Sequence, residues 1–293
     1  MSGVELTAAV GGSLTGSAYR PSPRPTFDGP TRITRAGAAR HIWGDPLSGE
    51  VADWIYVSSG LIHALVFELP AHGSFRHSPE HRTVFAADEL LHVLDGVMGI
   101  ANPETGEVQR ISAGESVFFR RDTWHHAFAH GEGPLRVLEL FAPPPATGSS
   151  GAYARSRPLL EESRYADDSL LGALAPAGPV AGTLRRLGRD DIVWRRDLEV
   201  LVGLLASTEH LTAGVLEVDP GQSAMVHSHP GDELLYLTDG VITVRAWQGE
   251  QVSVFELEPH DACYLPAGCQ HEYRNHGPST ARGIFGVAPV YKQ

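Results

Sequence analysis

Cysteine is scarce in this chain, which has only 2 cysteines, Cys263 and Cys269, among its 293 residues. Two cysteines do not make a disulfide framework, which excludes the class of small proteins held together by several disulfides. The N-terminus, Met1 to Glu5, also lacks the basic segment and apolar run of a secretory signal. Both absences indicate a protein of a reducing compartment, and we expect a cytoplasmic location.

Positively charged residues are also few. The 23 lysines and arginines are outnumbered by 35 aspartates and glutamates, and the formal net charge is -12 with histidine counted as neutral. A surface of that sign repels nucleic acids and anionic membranes, and no apolar run is long enough to span a bilayer. We therefore expect neither nucleic acid nor membrane among the partners.

The chain divides by composition into four segments. Residues 1–30 are small, polar and proline-dotted, which predicts an extended N-terminal arm. Residues 31–143 alternate short β-like runs with turns, residues 144–182 begin with a proline- and glycine-rich stretch typical of a linker, and residues 183–293 return to the strand-and-turn pattern. Many short strands at this spacing predict an all-β sandwich or barrel.

The two β-rich segments also resemble each other. The run from Glu89 to Gly96 parallels the run from Glu233 to Gly240 position for position, and the segment ending at His125 parallels the segment ending at His271. An internal repeat of this length indicates a duplicated domain.

A candidate metal site lies in the second repeat. His227 and His229 are two residues apart and would share one face of a β-strand, Glu233 opens the following predicted strand, and His271 comes later in the chain. Three imidazoles and one carboxylate suit Fe, Mn, Ni, Cu or Zn, and four protein ligands leave positions open for a substrate. The pattern predicts one divalent metal ion per chain, and by strand parity Met225 would line the same pocket.

This spacing resembles the two motifs of the cupin superfamily. The matching residues of both motifs are Gly221, His227, His229, Glu233 and Gly240, followed by Pro266, Gly268, His271 and Asn275. The glycine that opens the second motif is replaced by His260-Asp261, and Asn275 is expected to tie down backbone. The resemblance covers most of residues 40–142 and 185–290. It implies a bicupin: two tandem jelly-roll β-barrels with the N-terminal arm, in a family whose members often form homodimers.

The first repeat departs from the motif. Glu89 and His125 match the glutamate and the last histidine, but Thr83 and Phe85 occupy the two positions of the His-x-His pair. Either the first barrel has lost its metal and serves as scaffold, or a histidine of the longer loop joins a variant site. The candidate ligands of such a second site are His77, His81, Glu89 and His125.

For function, the four ligands resemble those of the quercetinase-like bicupin dioxygenases. That resemblance implies an Fe(II) enzyme that uses O2 to cleave a carbon–carbon bond of an aromatic or β-dicarbonyl-like small molecule, with Glu233 as both ligand and proton acceptor. Tyr273 shares the face of His271 and is a candidate donor to a substrate oxygen. One alternative is a Lewis-acid lyase, isomerase, decarboxylase or hydrolase that uses Mn, Ni or Zn. A second alternative is a cupin that binds a small molecule without turnover.

Overall fold

The computed structural model describes residues 22–45, 49–75, 81–85, 87–103, 105–121, 123–144, 155–158 and 184–292. Within these ranges the regular secondary structure is almost entirely β-strand, which confirms the predicted all-β fold. The exception is a three-residue 3₁₀ helix at Arg189–Asp191. No helix in the described part of the chain is long and apolar enough to cross a membrane.

The strands of the first half are, in chain order, β1 Thr31–Ile33, β2 Ala39–Asp45, β3 Gly49–Ser58, β4 His63–Leu69, β5 Ser74–Phe75, β6 His81–Val84, β7 Asp88–Asp95, β8 Val97–Asn102, β9 Glu107–Ser112, β10 Ser116–Phe119, β11 His126–Ala129, β12 Leu135–Ala142 and β13 Arg155–Pro158. Those of the second half are β14 Arg185–Leu187, β15 Val193–Asp197, β16 Val200–Ser207, β17 Thr212–Val218, β18 Asp232–Asp239, β19 Ile242–Gln248, β20 Gln251–Leu257, β21 Ala262–Leu265, β22 Gln270–Arg274 and β23 Ala281–Ala288.

Each repeat forms a barrel of one large and one small sheet. The first barrel has a seven-stranded sheet in the order β14-β10-β7-β12-β4-β3-β2 and a four-stranded sheet in the order β5-β11-β8-β9. The second has a seven-stranded sheet in the order β1-β21-β18-β23-β17-β16-β15 and a three-stranded sheet in the order β20-β19-β22. The repeated runs found in the sequence are β7 and β18, which lie inside the two large sheets.

The two barrels exchange one short strand each. Strand β1 pairs with β21 in the sheet of the second barrel, and β14 pairs with β10 in the sheet of the first. Arg32 of β1 also donates to Asp261 over 2.9 and 2.6 Å. Strand β1 thus belongs to the sheet of the second barrel and β14 to that of the first, although the predicted limits of the barrels are residues 31–143 and 183–293. Those limits stay a proposal. Strand β13, inside the predicted linker, pairs with β6.

The described end of the N-terminal arm contacts both barrels. The carbonyl oxygen of Pro25 accepts a hydrogen bond of 2.7 Å from the backbone N–H of Ser58 in the first barrel. The ring of Phe27 lies 6.0 Å from the ring of Tyr264 in the second. This segment therefore crosses the junction between the barrels.

The two large sheets pack face to face and bury a common apolar core. At its centre the ring of Tyr56 meets the ring of Tyr236 edge-on, with centroids 5.5 Å apart. The hydroxyl of Tyr56 donates to the carbonyl oxygen of His260 over 2.8 Å, which satisfies a polar group in an otherwise apolar interface. Gly286 brings the sheets together, because a Cβ atom there would lie 2.8 Å from Cδ1 of Leu140.

The substitution Gly286→Val is therefore expected to lower the free energy of unfolding by about 1–3 kcal/mol, the usual cost of overpacking a core. Urea denaturation followed by circular dichroism measures this change. Gly60→Val is the matched control, because nothing lies within 4 Å of a Cβ atom at Gly60. Equal effects of the two substitutions would contradict close packing at Gly286.

A second expectation concerns His92, which is buried on β7 with its Nδ1 atom 2.9 Å from Oγ of Ser116. Burial lowers the pKa of His92 from 6.5 to about 4. Between these values the unfolded chain binds a proton that the folded protein does not, so stability is lost as the pH falls from 6.5 towards 4. We expect His92→Gln to reduce that loss in urea denaturation at pH 7 and pH 4.5. The control His72→Gln, at a side chain that is 57% exposed, should leave the loss of stability between pH 7 and pH 4.5 as in wild type. If His92→Gln also shows the wild-type loss, burial of His92 is not its cause.

Candidate metal centre

Two of the predicted ligands are joined by their backbones. The N–H of His227 donates to the carbonyl oxygen of His271 over 2.9 Å, and the N–H of His271 returns a hydrogen bond of 2.8 Å to His227. This isolated antiparallel bridge holds the segment before β18 against β22. His227 and His229 were expected on a regular strand. The structure instead places them in a loop, where the bridge fixes the direction of the His227 side chain.

Each imidazole is oriented by a backbone carbonyl on its Nδ1 atom. The partners are Met225 for His227 at 2.8 Å, Tyr291 for His229 at 2.7 Å and Cys269 for His271 at 3.0 Å. Because a carbonyl oxygen only accepts, Nδ1 carries the proton in all three rings. In the neutral ring each Nε2 atom therefore keeps a lone pair, which is the form in which histidine binds a metal.

Glu233 completes the group from the opposite sheet. Its Oε2 atom lies 3.1 Å from Nε2 of His271 and 3.4 Å from Nε2 of His229. One potential ligand atom from each of the four side chains lies within 4.8 Å of the other three. Oε2 of Glu233 and Nε2 of His271 are buried and make no hydrogen bond within the described structure. We call His227, His229, Glu233 and His271 the second-barrel cluster. Its unsatisfied atoms converge on one point, so the cluster can hold a metal ion.

The ionisation states of Glu233 and His227 suit metal binding. Burial opposes ionisation of Glu233, but the neighbouring imidazoles, His271 foremost, hold its pKa below the usual range. Burial and the His271 imidazole lower the pKa of His227 to about 4. Burial opposes protonation of His271, but the Glu233 carboxylate raises its pKa. A divalent cation would therefore compete with a proton on this imidazole, because metal ligands must be neutral imidazoles and ionised carboxylates.

Tyr273 lies beside the cluster on β22, two residues after His271. Its hydroxyl donates to Oε1 of Glu233 over 2.8 Å, and its side chain is buried. Burial and the charge of Glu233 raise the pKa of Tyr273 well above its usual value. Tyr273 therefore keeps its proton and holds the carboxylate with Oε2 turned towards the imidazoles. The assignment of Tyr273 and Glu233 as catalytic residues stays a prediction.

A small apolar cavity of about 20 Å³ adjoins the cluster. Its walls include Val200, Val202, Leu216, Phe285, Leu198 and Tyr291. This volume admits about one water molecule. A larger molecule would therefore reach the cluster from the side of His227, the least buried of the four side chains.

Sequence reasoning missed Tyr291, which follows the last strand of the chain. Its carbonyl oxygen orients His229, and its ring stacks on the imidazole of His229 with centroids 4.5 Å apart. Tyr291 lies outside the strands, so the alternation of side chains along a strand could not assign it to the site. Only its aromatic side chain pointed to a possible role there. The prediction that Met225 lines the pocket was wrong. Met225 is 59% exposed, because it lies in a loop where strand parity does not apply. Asn275 binds the carbonyl oxygens of Val218 and Ser279, as expected.

The first barrel brings together only part of its predicted site. Nε2 of His125 lies 3.8 Å from Oε2 of Glu89, and both side chains are buried. Glu139 of β12, which the sequence motif does not include, joins them within the same 4.8 Å limit. We call Glu89, His125 and Glu139 the first-barrel cluster. His77 lies outside the described residues, and His81 is described only as part of the backbone of β6.

Both barrels resemble domains of known proteins. A family model described as "Cupin domain" matches residues 65–141 and 214–286, one match in each barrel and together just over half of the chain. The tetracenomycin polyketide synthase protein TcmJ of Streptomyces glaucescens is 37% identical over 78 residues, which is 26% of this chain and 50% of that protein. The match thus spans about half the length of this relative.

Solved structures of similar fold include two oxalate decarboxylases. The formate complex from Lactobacillus farciminis has a TM-score of 0.63 at 16% identity and covers 92% of this chain and 89% of its own. A variant from Bacillus subtilis has a TM-score of 0.65 at 12% identity and covers 93% of this chain and 80% of its own. At these identities the likeness is one of fold, and it extends over both barrels.

Proposed function

The chain belongs to the cupin family, and from that premise we propose that it is an enzyme whose second-barrel cluster binds one divalent metal ion and acts on a small dicarbonyl compound. The observation that carries this proposal is the hydrogen bonding of the three imidazoles. All three Nδ1 atoms bind backbone carbonyls, so that three Nε2 lone pairs and one carboxylate oxygen meet at a buried point. Protein side chains placed in this way are typical of metal ligands.

Lewis-acid chemistry accounts best for the surroundings of the site. When bound, a divalent ion supplies polarisation of a substrate carbonyl, which favours loss of a neighbouring proton, or of carbon dioxide from a neighbouring carboxylate. Glu233 is the base nearest to such a substrate, and Tyr273 hydrogen-bonds its Oε1 atom. The apolar walls restrict water and strengthen the electrostatic interactions of both groups.

The substrate class follows from the number of open positions. Four protein ligands leave about two positions on a six-coordinate ion, which suits a compound that chelates through two oxygens. Two comparisons support this class. Polyketide chains carry carbonyl groups at alternate carbons, and oxalate is two joined carboxylates. The cavity of about 20 Å³ admits only the chelating end of a larger compound, so its body would lie at the exposed mouth beside His227.

The choice of metal and of reaction remains part of the proposal. Manganese is our first choice, because the carboxylate ligand suits it and one similar structure concerns the Mn(II) centres of oxalate decarboxylase. The same ligands accept Fe(II), and the Fe(II) dioxygenase that uses O2 stays a prediction, as does the binder without turnover. The similar solved structures, oxalate decarboxylases, favour the Lewis-acid alternative.

Proton exchange under anaerobic conditions tests this function. Mn(II)-loaded and metal-free protein would be incubated in D2O with pentane-2,4-dione, 3-oxoglutarate and oxalate, and NMR would follow deuterium uptake and loss of carboxylate. We expect at least one compound to react faster than in buffer, and only with metal-loaded protein. Reaction that needs both Fe(II) and O2 would instead support the dioxygenase. Binding without any product would overturn the proposal in favour of a binding protein.

A further inference from the structure

We propose that the first barrel holds a second divalent cation, bound by Glu89, Glu139 and His125, at a site chemically unlike that of the second barrel. This inference does not depend on the reaction proposed above. It concerns a different barrel, a different set of ligands and a binding stoichiometry that can be measured without a substrate.

The strand register brings the two carboxyl groups together. In the pairing of β7 with β12, Glu89 is opposite Phe141, and Glu139 lies two residues before Phe141. Residues two apart on a strand share a face, so Glu139 is the diagonal neighbour of Glu89 on the inner face. His125 approaches from the segment that leads into β11. Its Nδ1 atom is 3.3 Å from the carbonyl oxygen of Thr123, which leaves Nε2 directed towards Glu89.

The first-barrel cluster is not a partial copy of the second. In the second barrel, Val287 is opposite Glu233, so Phe285 occupies the position that Glu139 occupies in the first. Conversely, Phe85 lies four residues before Glu89, the position that His229 has before Glu233. Thr83 and Phe85 thus stand in place of two imidazoles, and one phenyl ring is replaced by a carboxylate. The first-barrel cluster therefore takes one ligand from β12, and none from the position of the loop that carries His227 and His229 in the second barrel.

The contacts of the first-barrel cluster favour a bound cation. Glu89 is 1% exposed and Glu139 is 7% exposed, and their carboxyl groups are hydrogen-bonded to each other. Oε2 of Glu89 is buried and has no hydrogen-bond partner among the described residues. The rings of Phe85 and Phe119 lie beside the His125 imidazole, with centroids 6.4 and 4.6 Å away. Paired carboxylates in such an apolar environment are stable only when a proton or a metal ion neutralises them.

The ligand types indicate which ion binds. Two carboxylates and one imidazole form a set richer in oxygen than the three imidazoles and one carboxylate of the second barrel. Oxygen-rich sites favour Mn(II), Mg(II) or Ca(II), whereas imidazole-rich sites favour Zn(II), Ni(II) or Cu(II). We therefore expect the two barrels to differ in metal preference, and Zn(II) to displace Mn(II) first from the second barrel.

Metal analysis of four proteins tests the inference. Wild type, Glu139→Gln, His271→Ala and the double variant would be stripped of metal, dialysed against Mn(II) and analysed for bound manganese per chain. We expect about two ions in wild type, one in each single variant and none in the double variant. Glu132→Gln makes the same change of charge at a side chain that is 97% exposed, and should retain two ions.

Two results would overturn the inference. The first is a wild-type protein with a single ion that Glu139→Gln still retains. The second is manganese that persists in the double variant, because metal bound without either cluster is adventitious. Circular dichroism would confirm that each variant is folded. If Glu139→Gln does not fold, His125→Gln replaces it, with the same expected loss of one ion. Failure of the proposed function alone would leave all these stoichiometries unchanged.

Discussion

The variant His271→Ala should lose the ion of the second barrel and, with it, all metal-dependent activity. His271 is 1% exposed, and its Nε2 atom makes no hydrogen bond within the described structure. Its Nε2 atom also lies 3.1 Å from the carboxylate of Glu233. Loss of a residue that merely supports a ligand weakens metal binding about 10- to 100-fold, so loss of the ligand itself should weaken Mn(II) binding by more than about 100-fold. Isothermal titration of metal-free protein with Mn(II) measures this effect.

The control for this result is His276→Ala, five residues further along the chain. His276 is exposed and lies outside the second-barrel cluster, so its replacement should leave both affinity and activity unchanged. His77→Ala should likewise leave the second barrel intact. Full affinity for Mn(II) at the second barrel in His271→Ala would mean that the cluster does not hold the ion.

The variant Tyr273→Phe should retain most of the metal but lose most of the activity. The phenyl ring preserves packing against the imidazoles of His227 and His271, and only the hydroxyl that donates to Oε1 of Glu233 is lost. If Glu233 moves the substrate proton, removal of this hydrogen bond should lower turnover about 10- to 100-fold, the range typical of a group that orients a metal ligand. Metal affinity should fall about 10-fold, the lower end of the 10- to 100-fold range typical of a group one step removed from the ligand.

Three measurements separate this role from a structural one. Turnover per bound ion, the pH dependence of turnover and metal affinity would be compared between Tyr273→Phe and Tyr264→Phe. Tyr264 makes the same kind of hydrogen bond, donating to Oδ2 of Asp232 over 2.9 Å, but it lies in the core between the barrels. The Tyr264 change should leave the pH profile unaltered. Loss of metal with unchanged turnover per bound ion in Tyr273→Phe would show that Tyr273 only positions Glu233.

The sequence predicted the β-fold, the duplication and the four residues that converge in the second barrel. It did so because short-range patterns encode them: alternation along strands, glycine turns, and the spacing from His227 to Glu233. The reason for the convergence was not visible in the sequence. Backbone carbonyls of Met225, Tyr291 and Cys269 orient the rings, and the position of a carbonyl depends on the folded backbone.

Two other features depend on contacts between distant parts of the chain. Strands β1 and β14 are three residues long and pair with the barrel at the other end of the chain, so no local pattern marks their partners. Glu139 lies between Leu138 and Leu140 in an apolar run that indicates a core strand. A single carboxylate in such a run indicates a buried polar group that needs a partner. Its partners, His125 and Glu89, are 14 and 50 residues away in sequence, so the sequence did not identify them.

Anomalous diffraction from crystals of the Mn(II)-loaded protein tests the central claim most directly. We predict a manganese peak in the second barrel within about 2.0–2.3 Å of Nε2 of His227, His229 and His271 and of a carboxylate oxygen of Glu233. Absence of that peak from protein shown to contain manganese, or a peak bound by other residues, would contradict the assignment of this cluster as the metal site.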